Sequence, residues 1–242
     1  MTRTRPTAAI LAAGRGSRLG SATANLQKNM LDVAGRSVLR RQLEVLAGLG
    51  FTRQRIVVVT GFAADTLGRL HGREVRLLHN ERWDSHNNLV SVHLLAEVIP
   101  DDLLLINGDT LFHPGVLTAL LEVDHDAVLA IDDQVELAEE QMKVVVANGR
   151  LQHVSKKLDP AASQGEYIGL LHFRGASLAA LYAELGRMIA AGRTHEWYEG
   201  AIDRIAGTID IRTSSTAGLP WTEIDTPEDL AQAERIARAL DH

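Results

Sequence analysis

The feature that most constrains the fold is an alternation, in the first half of the chain, between short apolar runs and segments with helical periodicity. Residues 56–59 are all β-branched, and residues 103–106 are wholly apolar. Runs of this kind are typical of strands in a sheet that helices cover on both faces. The pattern predicts a three-layer α/β/α fold, Rossmann-like, around a mixed and mainly parallel sheet.

The second half of the chain adds a small antiparallel region. Residues 143–147 and 151–155 flank Asn148-Gly149, and this dipeptide is the strongest short signal for a hairpin. With 242 residues, of which 45% are hydrophobic, the chain is long enough to bury one sizeable core. We therefore expect one domain over residues 1–242, made of a half at about 7–110 and a half at about 111–242.

Composition argues against several classes of protein. The chain contains no Cys, which excludes a disulfide scaffold and favours a reducing compartment. No apolar run reaches the roughly 18 to 20 residues that span a bilayer, and the N-terminal segment has no clear signal-peptide pattern. The formal net charge of −6 argues against a general nucleic-acid binder. We expect a cytoplasmic protein that binds neither membranes nor nucleic acid, with a homodimer as one option for its oligomeric state.

The charges are distributed unevenly along the chain. Residues 1–43 carry eight basic side chains and one acidic side chain, whereas residues 83–142 carry thirteen carboxylates and no Lys or Arg. Most of these groups are accounted for by solvated helix and loop surfaces. The alternative is an anion-binding segment followed by a metal-binding segment.

A glycine loop follows the first apolar run. Residues 11–20 read Leu-Ala-Ala-Gly-Arg-Gly-Ser-Arg-Leu-Gly, and the N–H groups of such a loop can hold phosphates at the end of a strand. Leu19 stands where a dinucleotide fingerprint needs Gly, and the chain has no Gly-Lys pair for a Walker loop. Two cations, Arg18 and Lys28, suit a triphosphate, although a plain tight turn is the alternative. The candidate nucleotide-binding residues of the loop are Ala12, Ala13, Gly14, Gly16, Ser17 and Arg18.

Three carboxylates are candidates for a metal site. Asp109 ends an apolar strand after Asn107-Gly108, so we expect its side chain at the carboxyl edge of the sheet. Glu223 and Asp225 alternate in an extended segment and therefore point to the same side. Carboxylate oxygens suit Mg²⁺. Asp109 as an ordinary turn residue and Asp225 as a helix cap are the alternatives.

Several motifs together resemble the nucleotidyltransferase superfamily, and most closely its phosphocholine and 2-aminoethylphosphonate cytidylyltransferase branch. The likeness extends from about residue 7 to residue 237, and Gln27 stands where much of the superfamily has Pro. The motifs are the glycine loop with Arg18, then residues 28–31, 33–36, 80–83, 87–91, 105–109, 155–157, 165–169, 197–199 and 221–227.

The resemblance implies a nucleotide-diphospho-sugar transferase-like fold with a nucleotide-binding first half and an acceptor-binding second half. It implies that Asp109 and Asp225 bind Mg²⁺ directly and that Glu223 assists them. The catalytic cations that it implies are Arg18 and Lys28 on the α- to γ-phosphates and Lys156 on the reacting phosphates. Gly108 belongs to the implied nucleotide site, and Asn88 and Ser91 are the implied contacts to the base, although helix N-capping would account for one of these two.

An aromatic and acidic group of residues in the second half suggests the kind of acceptor. The chain has only ten aromatic residues, yet Trp197, Tyr198 and Trp221 fall beside the carboxylates Glu196, Glu199 and Glu223. An aromatic face with a carboxylate is how proteins bind an ammonium group, while packing in the core is the alternative. The candidate acceptor-binding residues are Glu196, Trp197, Tyr198, Trp221 and Glu223.

These features predict a Mg²⁺-dependent cytidylyltransferase. It would transfer CMP from CTP to a small cationic acceptor, phosphocholine or 2-aminoethylphosphonate, and release pyrophosphate. The acceptor phosphate arrives ionised, because its second pKa is near ~6, so no protein base is needed. The alternatives are a sugar-phosphate or inositol-phosphate nucleotidyltransferase and a catalytically inactive, nucleotidyltransferase-like regulatory subunit.

Overall fold

A computed structural model describes residues 5–16, 19, 26–71 and 74–241. The chain divides into two compact units. The first unit comprises Met1–Ser85, Leu105–Pro114 and Pro220–His242, and the second comprises His86–Leu104 and Gly115–Leu219. The expected arrangement as one domain with halves that meet at residue 110 stays a prediction.

Parallel strands form the centre of the first unit. Strand β1 (Thr7–Ala12) pairs in parallel with β4 (Ile56–Thr60), which pairs in parallel with β5 (Arg76–His79). The other neighbour of β1 is β6 (Asp102–Asn107), whose last three residues belong to this unit. All five residues of β4 are buried, as expected for a β-branched central strand.

The remaining elements of the first unit are three helices and two small antiparallel pairs. Their bounds are α1 (Val38–Gly48), α2 (Ala64–His71), α7 (Pro227–Leu240), β2 (Asp32–Val33) with β3 (Arg36–Ser37), and β7 (Thr110–Phe112) with β13 (Trp221–Glu223). Helix α1 begins after Ser37, whose hydroxyl accepts the N–H of Arg40 at 3.2 Å. The start of α7 is fixed by a capping box between Thr226 and Asp229.

The second unit is mainly antiparallel. Its strands are β8 (Ala127–Asp132), β9 (Lys143–Ala147), β10 (Arg150–Ser155), β11 (Gly165–Arg174) and β12 (Arg212–Ser215). In the sheet, β6 is followed by β11, β8, β12, β10 and β9, and β9 also pairs with the start of β11. Strands β8 and β12 run parallel to each other. The helices are α3 (Asn88–Leu94), α4 (Pro114–Glu122), α5 (Gly175–Ala190) and α6 (Glu199–Ile205).

The expected α/β class with a mixed sheet is confirmed, and the described residues contain seven helices. Asn148 and Gly149 both have positive φ values, 54° and 70°, as the predicted hairpin requires. A 3₁₀ turn at Lys28–Met30 precedes β2. The short strands β7, β12 and β13 were not predicted, since three or four residues carry too little periodicity to recognise.

Among the described residues, no helix combines the length and the apolar character that crossing a membrane requires.

Gly108 allows two strand ends to approach closely, where β6 leaves the sheet beside β1. Its N–H donates to the carbonyl of Leu11 at 3.0 Å, and a methyl group on its Cα would overlap the same carbonyl oxygen. We predict that Gly108→Ala lowers the free energy of unfolding by about 2 kcal/mol or more, through overpacking.

Urea titration followed by circular dichroism measures this loss. Gly14→Ala is the matched control, because a Cβ on Gly14 meets no described atom within 4 Å. Equal stability of the two variants would contradict the proposed close approach.

Candidate active site

Asp109 is held in the tight turn that follows β6. The buried side chain of Gln42, on α1, donates through Nε2 to the carbonyls of Asn107 and Thr110, each at 2.9 Å. Together with the bond between Gly108 and Leu11, these contacts fix the backbone on both sides of Asp109. The carboxylate therefore projects from a rigid turn at the end of the strand.

The pairing of β7 with β13 brings the C-terminal carboxylates to the same place. Glu223 lies opposite Thr110, and the N–H of Ile224 donates to the carbonyl of Asp109 at 3.0 Å. Asp225 follows at once. Two aspartates far apart in sequence thus become neighbours through one short antiparallel pair.

The start of α7 fixes the backbone of Asp225. A carboxylate oxygen of Asp229 accepts the N–H groups of Asp225 and Thr226, at 2.9 and 2.8 Å. The N-cap residue is Thr226, so the alternative that Asp225 is itself the cap does not apply. The Asp225 side chain is directed instead to Lys28.

Lys28 bridges the two aspartates. Its Nζ lies 2.6 Å from Oδ2 of Asp109 and also donates to Oδ1 of Asp225. The lysine side chain is only 14% exposed. Burial lowers the pKa of Lys28, but the charges and hydrogen bonds of Asp109 and Asp225 outweigh it, so the pKa lies above the ordinary value of 10.5.

The carboxylates of Asp109, Glu223 and Asp225 fit a divalent cation. One ligand oxygen from each lies within 4.8 Å of the others. Carboxylate oxygens are hard donors of the kind that Mg²⁺ binds, and the position of the Lys28 ammonium between two of the carboxylates shows that the cluster attracts positive charge. Glu223, which the sequence assigned to the acceptor and to an assisting role at the metal, lies in this cluster.

The glycine loop is anchored by neighbouring segments. Gln27, which departs from the Pro common in the superfamily that the sequence resembles, is buried and donates through Nε2 to the carbonyl of Ala12 at 3.2 Å. The N–H of Phe62 donates to the carbonyl of Ala13 at 3.1 Å, and Gly16 has a φ of 68°. Ser17 and Arg18, predicted to bind the nucleotide, lie outside the described residues.

Asn88 and Ser91, the expected base contacts, lie in the first turns of α3 in the second unit. The residue that caps α3 is Asn87, whose Oδ1 accepts the N–H of Asn88 at 2.8 Å. The Oδ1 of Asn88 accepts the backbone N–H of Tyr198 at 3.1 Å, and Ser91 is buried. Capping thus explains neither of the two predicted residues, and their contact with a base stays a prediction.

The predicted aromatic group is divided by the structure. Tyr198 is completely buried, and its hydroxyl hydrogen-bonds to that of Tyr167 at 2.9 Å, so its ring takes part in core packing. Burial raises the pKa values of both tyrosines well above 10. Trp197, by contrast, is 45% exposed. Trp221 lies opposite Phe112 in the first unit.

The charged residues near Trp197 have different partners. Nζ of Lys156 lies 5.2 Å from the centre of the Trp197 ring, a cation–π distance. Glu196, an expected acceptor ligand, pairs with Arg204 at 3.3 Å and lies 4.0 Å from Arg193. Its negative charge is therefore already matched.

Sequence reasoning missed four residues that shape these sites: Gln27, Gln42, Asp229 and Glu166. The only signal for Asp229 was its position three residues after a Thr, which is typical of a capping box. Glu166 belonged to the motif at residues 165–169 but received no role. Gln42 and Gln27 act on backbone carbonyls, and no pattern of residue types reveals such contacts.

Comparison with known proteins identifies the family. Residues 8–193 match the MobA-like NTP transferase domain family, and the chain belongs to it. A relative in Streptomyces rubellomurinus, CMP-5'-(3-aminopropyl)phosphonate synthase, is 31% identical over 242 aligned residues, which cover 94% of this chain and 38% of the relative. The resemblance to the cytidylyltransferase branch is thereby confirmed.

Two further similarities extend over nearly the whole chain. A bifunctional IPC transferase and DIPP synthase from Rubrobacter xylanophilus is 28% identical, covering 95% of this chain and 51% of the relative. The chain thus spans about half or less of the length of these two relatives. The solved structure of CTP:phosphocholine cytidylyltransferase from Streptococcus pneumoniae superposes with a TM-score of 0.79 at 20% identity, covering 97% of this chain and 100% of that chain, and it supports the fold.

We expect that removing the bridge made by Lys28 lowers the stability of the protein and that a divalent cation reverses this loss. Lys28→Met leaves three carboxylates without their cation, so we expect the free energy of unfolding to fall by about 2 kcal/mol. Millimolar Mg²⁺ or Mn²⁺ should restore the loss, because it binds the folded state. Thermal unfolding with and without the metal ion measures both effects.

The control for this prediction is Lys157→Met, at an exposed lysine. It should change neither stability nor the response to metal. If Lys28→Met unfolds at the same temperature as the unaltered protein, the bridge contributes nothing to the fold.

Glu166 predicts a dependence of stability on pH. Burial raises its pKa from 4.5 to about 7; the hydrogen bond from Gln141 lowers it, Asp132 raises it, and Lys156 and Lys143 lower it. The folded state holds the proton of Glu166 more tightly than the unfolded state does. The stability that this proton contributes is therefore fully present below the pKa of the unfolded state and is lost as the pH rises through 7. The loss amounts to about 3 kcal/mol by pH 8.

Glu166→Gln removes this titration, so the variant should exceed the unaltered protein in stability at pH 8 and match it near pH 4.5. Urea unfolding at several pH values measures the difference. Glu196→Gln, at a glutamate whose side chain is 43% exposed, should leave the pH profile as it is. Parallel profiles for Glu166→Gln and the unaltered protein would show that the carboxyl titrates normally.

Proposed function

We propose that this protein is a cytidylyltransferase that joins CMP, from CTP, to a small phosphorylated or phosphonylated amine. An oxygen of the acceptor attacks the α-phosphorus of CTP, the bond from that phosphorus to the bridging oxygen breaks, and pyrophosphate leaves with the bonding electrons. The observation that carries the proposal is the cluster of Lys28 with three carboxylates beside the glycine loop of the first unit.

The side chains of the first unit supply charge and alignment. Asp109 and Asp225 would hold Mg²⁺, with Glu223 beside them, and the bound ion would neutralise charge on the phosphates. Lys28 would bind the triphosphate, as would Arg18 from the loop. The backbone N–H groups of the loop would hold phosphate oxygens. No protein base is needed, since the acceptor arrives ionised.

The second unit would select the acceptor. Lys156 would bind the reacting phosphate or phosphonate, and the exposed face of Trp197 would contact the ammonium group. The first relative's name, which specifies an aminopropylphosphonate product, supports an acceptor of this class. Asn88 and Ser91 would contact cytosine.

A pyrophosphate-release assay with CTP and Mg²⁺ tests the function. The acceptors are phosphocholine, 2-aminoethylphosphonate and (3-aminopropyl)phosphonate, compared with glucose 1-phosphate and an inositol phosphate. We expect the highest kcat/KM with one of the amines. A sugar or inositol phosphate that is used far better than every amine would overturn the assignment of the acceptor, and no release with any acceptor would indicate a regulatory subunit.

Variants of the site provide the second part of the test. Asp109→Ala and Lys28→Ala should each lower kcat by about 100-fold or more, because charge stabilisation at the phosphates is lost. Circular dichroism should show that Asp109→Ala still folds. Lys157→Ala serves as the control and should retain full turnover. Unchanged rates in either site variant would refute the proposed site.

A further inference from the structure

The sheet of the second unit aligns a row of polar residues across four strands. Glu166 on β11 lies opposite Asp132 on β8 and, on its other side, opposite Lys143 on β9. Lys143 in turn lies opposite Ser155 on β10, and Lys156 is the next residue. The register thus brings together two motifs that are separate in the sequence, residues 155–157 and residues 165–169.

Glu166 is held in a fixed position within this row. Glu166 is only 8% exposed, and its Oε2 accepts a hydrogen bond from Nε2 of Gln141 at 2.7 Å. Gln141 is fixed by its own Oε1, which accepts the N–H of Ala138 at 2.5 Å. The fully buried Lys143 also donates to the carbonyls of Ala138, Glu139 and Gln141, at 3.1, 2.7 and 3.2 Å.

The ammonium of Lys143 is therefore bound by backbone carbonyls, and its charge lowers the pKa of Glu166 without bringing it back to the ordinary value. Within the described part of the chain, Glu166 forms no ion pair at 4.0 Å or less. A carboxylate that is buried without a matched cation lowers stability, and such groups cluster at functional sites. Above its pKa of about 7 the carboxyl group is charged, although the fold would be more stable with a neutral group at this place.

An ammonium group already occupies the neighbouring aromatic face. Lys156 follows the last strand residue of the row and places its Nζ over Trp197, as described above. The charge of Lys156 also acts on Glu166, whose pKa it lowers. The surroundings of Trp197 and Glu166 therefore attract a primary ammonium in this structure.

We propose that Glu166 is the carboxylate that selects a positively charged acceptor, and that Lys156 holds the ammonium position on Trp197 until the acceptor binds. The acceptor's own ammonium then takes that position, and Lys156 turns to the acceptor's phosphate or phosphonate. This inference rests on the proposed function and assigns the selecting charge to Glu166 instead of Glu196, which two arginines already attend.

The test compares a charged acceptor with its neutral isostere. Phosphocholine is paired with 3,3-dimethylbutyl phosphate, and 2-aminoethylphosphonate with propylphosphonate, at saturating CTP. For Glu166→Gln we expect KM for the charged acceptors to rise at least about tenfold, because the attraction between the carboxylate and the positive charge of the acceptor is lost. The KM for the neutral isosteres and kcat should change less than about twofold. Gln retains an oxygen that can accept from Gln141, so the loop should stay in place.

Two further variants separate the roles of neighbouring residues. Glu196→Gln is the matched control and should change no KM by more than about twofold. Lys156→Met should raise KM for charged and neutral acceptors by similar factors, because both classes carry the phosphate or phosphonate that Lys156 would bind.

The outcomes distinguish this inference from the proposed function. If Glu166→Gln raises KM equally for charged and neutral acceptors, or changes neither, Glu166 has only a structural role and this inference fails, while amine-dependent turnover would still support the proposed function. If the unaltered protein prefers sugar phosphates, both fail. If Glu196→Gln shows the charge-dependent effect instead, the selecting carboxylate is Glu196.

Discussion

The contact of one lysine ammonium with two aspartates is the interaction on which the candidate site of the first unit depends. Asp109 and Asp225 are brought side by side by hydrogen bonds of the backbone, and like charges at this separation repel one another strongly when they are partly shielded from water. The ammonium of Lys28 balances that repulsion. The same arrangement gives the cluster its chemistry, since carboxylates held close by a rigid backbone are ready to share a cation.

Much of this site follows from the sequence. The apolar run before Asn107-Gly108-Asp109 indicated a strand end, and the alternation of residues 223 and 225 placed two carboxylates on one side. What the sequence did not reveal is why they meet. The responsible pair, β7 with β13, is three residues long in each strand, and the supports from Gln42 and Asp229 are bonds to backbone atoms, which residue patterns do not encode.

The aromatic residues show a different limit of sequence reasoning. Trp197 and Tyr198 are adjacent, and adjacency suggested a shared face. At the entry to α6, however, consecutive side chains point in different directions, so Trp197 lies at the surface and Tyr198 lies in the core. The carboxylate near Trp197 in the sequence, Glu196, likewise turns towards arginines. The register of the sheet, and not closeness in the sequence, determines which carboxylate lies near Lys156.

The lysine that neighbours a carboxylate has different hydrogen-bond partners in the two units. In the first unit Lys28 forms ion pairs with Asp109 and Asp225, so its charge offsets part of the repulsion between them. In the second unit Lys143 lies directly opposite Glu166 on the neighbouring strand. Its ammonium, however, is bound by three carbonyls of the preceding loop. Lys143 lowers the pKa of Glu166 through its charge, but its hydrogen bonds go to backbone carbonyls and not to that carboxylate. It serves to fix Gln141, and through Gln141 the position of a carboxylate whose charge remains available for a ligand.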